Sequence, residues 1–340
     1  MQQLYKILFM MTLISGTLIS ISSNSWLGVW IGLEMNLLSI IPLMNINKKA
    51  KATEASMKYF IVQAMASIIL MMALLTNTIK SDFTSNLLID TMNSLLMTTA
   101  LLIKTGAAPF HFWFPEVMEG LEWTNALILL TWQKIAPMAI LSYINLNENL
   151  IIVTILTSTI VGGIMGINQT SMRKILSFSS INHIGWMLAA MLYLETLWMW
   201  YFIIYSMMNI LLVWALENLN ISSISQLLML MKLNPQLKMF FMFNFFSLGG
   251  VPPFIGFLPK WLTVQALIFN YMYFTAITLI LITLVTLYFY MRMALPSISL
   301  SAYSQSSVSM NQQFKNKNFT LWNSALMMSL TLATLTFNWI

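Results

Sequence analysis

The sequence predicts an all-α polytopic membrane protein with about eleven transmembrane helices, arranged as inverted five-helix repeats that each contain a broken helix. Three observations predict it. The 340 residues are 59% hydrophobic and 8% charged, with a mean hydropathy of +0.78, whereas a soluble domain carries about a quarter of its residues charged. The apolar residues fall in continuous blocks of about twenty, the length a helix needs to cross a bilayer, and not in the alternating pattern of barrel strands. Finally, one glycine–proline pattern occurs twice inside such blocks, around Gly106 and again around Gly250.

The spans read, in order, as 4–21, 26–45, 55–78, 87–121 (broken), 124–144, 149–168, 173–191, 195–217, 237–269 (broken), 272–292 and 319–340. The first three are uninterrupted apolar runs, and the second carries Glu34 near its centre. In the same span, Gly28 and Gly32 of G-V-W-I-G form a small-xxx-small pair that permits close helix approach. The fourth ends in L-L-I-K-T-G-A-A-P-F-H-F-W-F-P-E, which places Lys104 just before a helix break. The fifth holds Lys134 near its middle. The sixth carries a second small pair, Gly162 and Gly166, and the seventh carries His183 in S-F-S-S-I-N-H-I-G-W, with Ser179 one turn below it. Tyr201, Tyr205 and Asn209 make a polar stripe along the eighth span, which reads either as packing, the commoner case, or as a face that orders water. The ninth span repeats the break of the fourth and carries Lys260. The tenth is a plain apolar run. The 22 residues from Ser297 to Asn318, rich in serine and asparagine, form the only sizeable loop before the last span.

Charge placement supports this count. With the N-terminus and every even-numbered loop on one side, that side collects Lys6, Lys48, Lys49, Lys51, Lys58, Arg173, Lys174, Lys232, Lys238, Arg292, Lys315 and Lys317, and the other has Lys80 alone. By the positive-inside rule the crowded side is the cytoplasm-equivalent compartment, the matrix in a mitochondrion. Glu116, Glu119 and Glu122 fall on that side too. The net charge of +6 is therefore a signature of topology and does not point to nucleic acid. The absence of cysteine removes disulfides and thiolate metal sites, and His111 and His183 are too few for a histidine metal cluster. No signal or transit peptide is expected ahead of the first span.

Three of the sixteen positive charges, Lys104, Lys134 and Lys260, lie within spans, where they face the single carboxylate Glu34. A charge at the centre of a span costs about 2.5–3.5 kcal/mol on insertion scales, so it persists only if paired, hydrated or neutral. A static ion pair that fixes packing is the simplest reading. Three lysines against one glutamate do not balance, however, and unbalanced buried charges suit a proton relay better. Burial disfavours a lysine's charged form and a nearby carboxylate restores it, so a lysine whose partner approaches and retreats can release and regain a proton. Histidine as a residue type titrates near neutrality unaided, and His183 reads either as a member of that relay or as a hydrogen-bonded packing residue.

Setting G-A-A-P-F-H-F-W-F-P-E (106–116) over G-V-P-P-F-I-G-F-L-P-K (250–260) aligns Gly106 with Gly250, Pro109 with Pro253, Phe110 with Phe254 and Pro115 with Pro259, without a gap. Glu116 and Lys260 close the two copies. Prolines remove backbone donors and break the helix, and unwound backbone survives in a bilayer only where protein or a water-filled cavity covers it. Spans four and nine are an odd number apart and so cross in opposite directions, as inverted repeats do. The expected division is 1–145 and 146–292 as the two repeats, with 293–340 as a loop and a last helix.

These motifs, with L-L-T-W-Q-K-I-A-P-M, S-S-I-N-H-I-G-W and L-G-G-V-P-P-F-I-G-F-L-P-K-W, resemble the antiporter-like, proton-translocating membrane subunits of respiratory complex I, the NADH:ubiquinone oxidoreductase of mitochondria. The resemblance covers essentially the whole chain. It implies a subunit that couples electron transfer from NADH to ubiquinone to proton movement across the inner membrane, with its N-terminus on the matrix side. Larger relatives carry fourteen helices; the animal form lacks the first three. The family's relay residues fall on Glu34, Lys104, Lys134, His183 and Lys260. The resemblance implies that NADH, flavin, iron–sulfur clusters and ubiquinone are handled by other subunits, so this chain binds no cofactor. Its expected partners are the other membrane-arm and accessory subunits, lipids and protons. Relatives carry a proline where this chain has Glu122, which leaves open how the fifth helix begins. Two other readings remain: a stand-alone Na⁺(K⁺)/H⁺ antiporter, and a non-pumping scaffold of the membrane arm.

Overall fold

A computed structural model describes residues 2–45, 49–83, 91–144, 146–233 and 235–299. Among these the chain forms fourteen α-helices and an isolated bridge between Ser171 and Ser223. The first three expected spans are α1 (Gln2–Ser22), α2 (Trp26–Met44) and α3 (Ala50–Phe83). The fourth is split into α4 (Thr91–Thr105) and α5 (Trp113–Gly120), and the fifth into α6 (Trp123–Leu130) and α7 (Trp132–Ser142). Next come α8 (Glu148–Ile167), α9 (Met172–Met191), α10 (Glu195–Asn218) and α11 (Ile224–Leu233). The ninth span is split into α12 (Pro235–Gly249) and α13 (Phe257–Phe269), and α14 (Tyr273–Ser299) is the tenth. Six helices, α1, α2, α3, α8, α10 and α14, are long and apolar enough to cross a membrane. The chain is a multi-pass α-helical membrane protein. The expected eleventh span, 319–340, lies outside the described residues, as do most of the Ser297–Asn318 loop, Lys48, Lys315, Lys317 and the Lys80 side chain.

Three expectations about elements need correction. The fifth span is broken at Thr131, whose backbone (φ −113°, ψ −73°) leaves the helix. The Thr131 hydroxyl bonds back to the Leu127 carbonyl at 2.8 Å, a contact that bends helices. Pro137 lies six residues further on, with no N–H to bond back within the helix. Secondly, the stretch after the eighth span is not a bare connection, because α11 lies in it. The Gln226 side chain turns back over the start of that helix, its Oε1 accepting from the backbone N–H of Ser222 at 2.9 Å and of Ser223 at 3.3 Å, one half of a capping box. Thirdly, α14 runs on to Ser299, so the serine-rich loop begins later than its composition suggests. Glu122 proves harmless to the start of α6: its φ of −76° and ψ of 159° are values a proline would also adopt.

Small residues set the helix crossings. A Cβ on Gly32 would lie 2.6 Å from the Ser20 backbone nitrogen, and one on Gly16 would lie 2.6 Å from Asn36 Oδ1. Thus Gly32 pairs with Gly16 of α1, while Gly28 faces Ser23 and Ser25 of its own turn. Gly162 fits against α9 at Asn182, and Gly166 meets the ring of Phe289 on α14.

The even-numbered connections meet at one end. Lys49 pairs with Glu122 at 3.0 Å and Lys174 with Glu119 at 2.6 Å. The Met172 N–H donates to Ser222 O at 3.0 Å, and Arg292 donates to Ile167 O at 2.6 Å. At this end Lys58 also reaches back from α3 to Glu116 of α5, at 2.8 Å.

The apolar core is not one mass. One cluster gathers Ile40, Tyr59, Phe114, Leu130, Ile181, Leu212 and Phe245; the other gathers Leu33, Leu70, Leu101, Ala136, Ile184, Tyr201 and Leu267. Helix after helix passes from one cluster to the other at a polar residue: α2 beside Glu34 and Asn36, α3 near Gln63, the fifth span at Lys134, and α9 at His183. The molecule therefore has two apolar layers with a polar layer between them. At its centre stands α9, buried at every position from Ile175 to Met191 although it carries three serines, an asparagine and a histidine in that stretch.

Candidate functional site

The two helix breaks are built alike, bond for bond. In the first, the Gly106 N–H donates to Leu102 and Ile103, that of Ala107 to Leu102, and that of Phe110 to Ala107; in the second, Gly250 donates to Phe246 and Ser247, Val251 to Phe246, and Phe254 to Val251. Each is a helix C-terminus closed by a glycine in the left-handed region, with φ +76° at Gly106 and +79° at Gly250. The chain then turns through the prolines and resumes at Trp113 in one copy and Phe257 in the other.

A helix end leaves four carbonyls without intrahelical partners and a partial negative charge. At the end of α12 those carbonyls belong to Phe246, Ser247, Leu248 and Gly249. The cap takes the first two, and the Lys260 ammonium takes the others, at 3.1 Å from Leu248 O and 2.9 Å from Gly249 O. At the end of α4 the counterpart of Leu248 is Lys104, whose carbonyl accepts from the Gln63 side chain at 3.4 Å. Lys104 itself thus stands in the last turn of its half-helix, while Lys260 reaches the equivalent spot from the far side of its break.

Lys134 occupies the first turn of α7, directly after the break at Thr131, and is 1% exposed. Its ammonium donates to the Tyr205 hydroxyl at 3.2 Å and stands over the rings of Tyr205 (4.8 Å) and Phe114 (5.7 Å). The Tyr201 hydroxyl lies 2.8 Å from His183 Nδ1, and the His183 and Tyr205 rings are 4.9 Å apart. His183 is within electrostatic reach of both Lys134 and Lys260, and the Lys260 ammonium stands 5.8 Å from the Trp186 ring, one turn along α9. At the other end of the row, Lys104 feels the charge of Glu34, although no direct ion pair joins them among the described residues. Lys104 lines a cavity of about 20 Å³ with Asn36, Tyr59, Gln63 and Gln133, room for about one water molecule.

The five residues singled out in the sequence therefore lie in the polar layer, as two linked groups: Glu34 with Lys104, and Lys134 with His183 and Lys260. Of the two readings of the tyrosine stripe on α10, the contacts favour a polar role over packing alone. Tyr201 and Tyr205 touch His183 and Lys134 directly, and their spacing of four residues, one helical turn, was the available signal. Gln63 had no signal in the sequence, since its role depends on α3 passing the end of α4.

Fold and polar layer together define an antiporter-like membrane subunit, and the comparisons agree. A family model described as NADH:quinone oxidoreductase/Mrp antiporter, TM, matches residues 23–286. Among solved structures, a chain of respiratory complex I from Thermus thermophilus superposes with a TM-score of 0.82 at 22% identity, covering 98% of this chain and 78% of that one. A chain of the Mrp complex from Dietzia gives a TM-score of 0.73 at 17% identity over 84% of this chain and 59% of that one. The relatives narrow the class. NADH-ubiquinone oxidoreductase chain 2 of Anopheles gambiae is 48% identical over 93% of this chain and 92% of its own length. That of Equus asinus is 40% identical over 99% and 98%. The chain belongs to the NADH-ubiquinone oxidoreductase chain 2 family.

Proposed function

We propose that Glu34, Lys104, Lys134, His183 and Lys260 form a lateral proton relay at mid-membrane, through which this subunit contributes to the coupling of NADH oxidation by ubiquinone to proton translocation. The observation that carries the reading is the polar layer: all five residues lie where the two apolar clusters meet. Lys134 is the central exchanger. Glu34 biases Lys104 through their separation, and Lys260 passes protons onward from the carbonyls that hold it. Buried charges that are neither balanced nor statically paired are the expected hardware of such a relay.

The division into repeats of residues 1–145 and 146–292, with 293–340 appended, belongs to the same reading and is supported by the matching caps of the two breaks. So does placement in the mitochondrial inner membrane with the N-terminus on the matrix side, which rests on the positive charges gathered with the even-numbered connections. Other membrane-arm and accessory subunits, lipids and protons are the proposed partners. Flavin, iron–sulfur clusters, NADH and ubiquinone are assigned to other subunits.

The test is Lys134→Met in the assembled enzyme, followed as protons moved per NADH oxidised. The ratio should fall while the amount of assembled enzyme stays at the wild-type level; an unchanged ratio removes Lys134 from the relay.

A further inference from the structure

We infer that Tyr205 is a catalytic residue of proton transfer at Lys134, and that Tyr201 is a positioning residue which fixes the tautomer of His183. The inference deepens the relay reading and rests on it. Its basis is a pair of hydrogen bonds in the buried layer between α7, α9 and α10, Lys134 to Tyr205 and His183 to Tyr201, brought side by side by the contact of the Tyr205 and His183 rings. The Lys134 ammonium donates to the Tyr205 oxygen at 3.2 Å. Across the Tyr205 ring, at 4.9 Å between centroids, stands the His183 imidazole. The far side of that imidazole is tied through Nδ1 to the Tyr201 hydroxyl at 2.8 Å, while its Nε2 is buried with no partner among the described residues.

A neutral imidazole has one N–H and one lone pair, and the hydrogen bond made by one nitrogen decides which role is left to the other. With Nδ1–H donating to the Tyr201 oxygen, Nε2 keeps its lone pair and is the acceptor. The transfer then balances without any charged tyrosine. No hydrogen bond joins the Tyr205 hydroxyl to Nε2 in this structure, so the transfer takes place when one of the two touching rings turns to bring them together. Lys134 gives a proton to the Tyr205 oxygen, Tyr205 gives its own hydroxyl proton to His183 Nε2, and the products are a lysine amine, a neutral phenol and an imidazolium. A phenol suits this place because its hydroxyl both donates and accepts, and a phenylalanine of the same shape could do neither. Removal of a proton from His183 toward Lys260 resets the unit, since His183 lies within electrostatic reach of both lysines.

Tyr205→Phe and Tyr201→Phe, each in the assembled enzyme, separate the two roles while keeping both rings and their packing. Tyr205→Phe should lower the protons moved per NADH oxidised about as far as Lys134→Met does and change the solvent deuterium isotope effect on coupled turnover. Tyr201→Phe should lower the ratio less, about two- to threefold, and change the isotope effect in the same sense. Wild-type ratios and isotope effects in both variants overturn the inference; if Lys134→Met still lowers the ratio, the relay itself survives. If Lys134→Met is also without effect, the relay reading fails instead. Should Tyr205→Phe not assemble, Tyr201→Phe alone decides, because it breaks the same hydrogen-bonded unit from its other end.

Discussion

Gly250 and Gly106 have the same conformation and different neighbours, which makes them a matched pair. Both hold a φ near +80°, where a side chain costs about 1–2 kcal/mol. At Gly106 an added Cβ would meet the Trp113 ring at 3.3 Å, a tight contact to which that side chain must yield by a few tenths of an ångström. At Gly250 it would lie 2.7 Å from the Lys260 Cδ and 2.9 Å from its ammonium nitrogen, so the lysine would have to leave its carbonyls. Gly106→Ala should therefore lower stability by about 1–2 kcal/mol with transport intact, whereas Gly250→Ala should also reduce the proton ratio. Thermal denaturation of the purified enzyme and the proton count, taken side by side, check both halves. A residue's type was legible in the sequence here, since two glycines at matched positions before prolines mark a break. Its contact with Lys260 was not, because the lysine lies ten residues further on and folds back across the break.

Helices are held at set distances by residues too small to notice individually. The pair α8 and α9 is the clearest case: a Cβ at Gly162 would come within 2.7 Å of the Asn182 backbone nitrogen and 2.8 Å of the Phe178 carbonyl. His183 follows Asn182 directly. Gly162→Val should push α9 outward, cost about 1–3 kcal/mol as overpacking does, and impair transport through displacement of His183. A drop in the temperature at which the subunit leaves the detergent-solubilised enzyme would show the first effect, and a lower proton ratio below that temperature the second. At this scale the sequence located ten of the helical segments well, because length and hydropathy suffice for that. It missed the break at Thr131, which depends on a hydroxyl turning inward, and it missed α11, whose capping-box pattern was present in S-S-I-S-Q but overshadowed by the neighbouring apolar runs. Nor does composition announce how deeply α9 is buried. A helix rich in serine, with histidine and asparagine, looks peripheral by hydropathy, yet it is the most thoroughly enclosed element among those described.

Seen as a whole, the molecule places its connecting segments by parity. The absence of cysteine from all 340 residues makes this directly measurable with single introduced thiols. Lys49→Cys, Lys174→Cys and Lys232→Cys should react with a membrane-impermeant maleimide from one face of a sealed vesicle. Tyr271→Cys, at a position 80% exposed between α13 and α14, should react only from the opposite face. Mixed reactivity within the first group would break the parity. The layered interior was only half legible beforehand. Buried charges announced that something polar crosses the membrane at mid-depth, but nothing in a linear text shows that Glu34, Lys134 and His183, from three separate helices, occupy the same depth. Depth emerges only once every helix is placed against its neighbours.

The lysines of the two breaks carry a lesson about ancestry. If the halves descend from one duplicated unit, aligned columns pair Lys260 with Glu116 and Lys104 with Leu248, so a comparison by column finds the lysine in only one half at each position. The Lys260 ammonium nonetheless rests on the carbonyl of that same Leu248, twelve residues away along the chain. What the halves have in common is an address in space, the cut end of a helix, which the Lys260 ammonium fills from across the break in one half and the Gln63 amide fills from α3 in the other. The donor at that address thus comes from a different part of the chain in each half, which loosens the bond between sequence position and function wherever a helix has been cut.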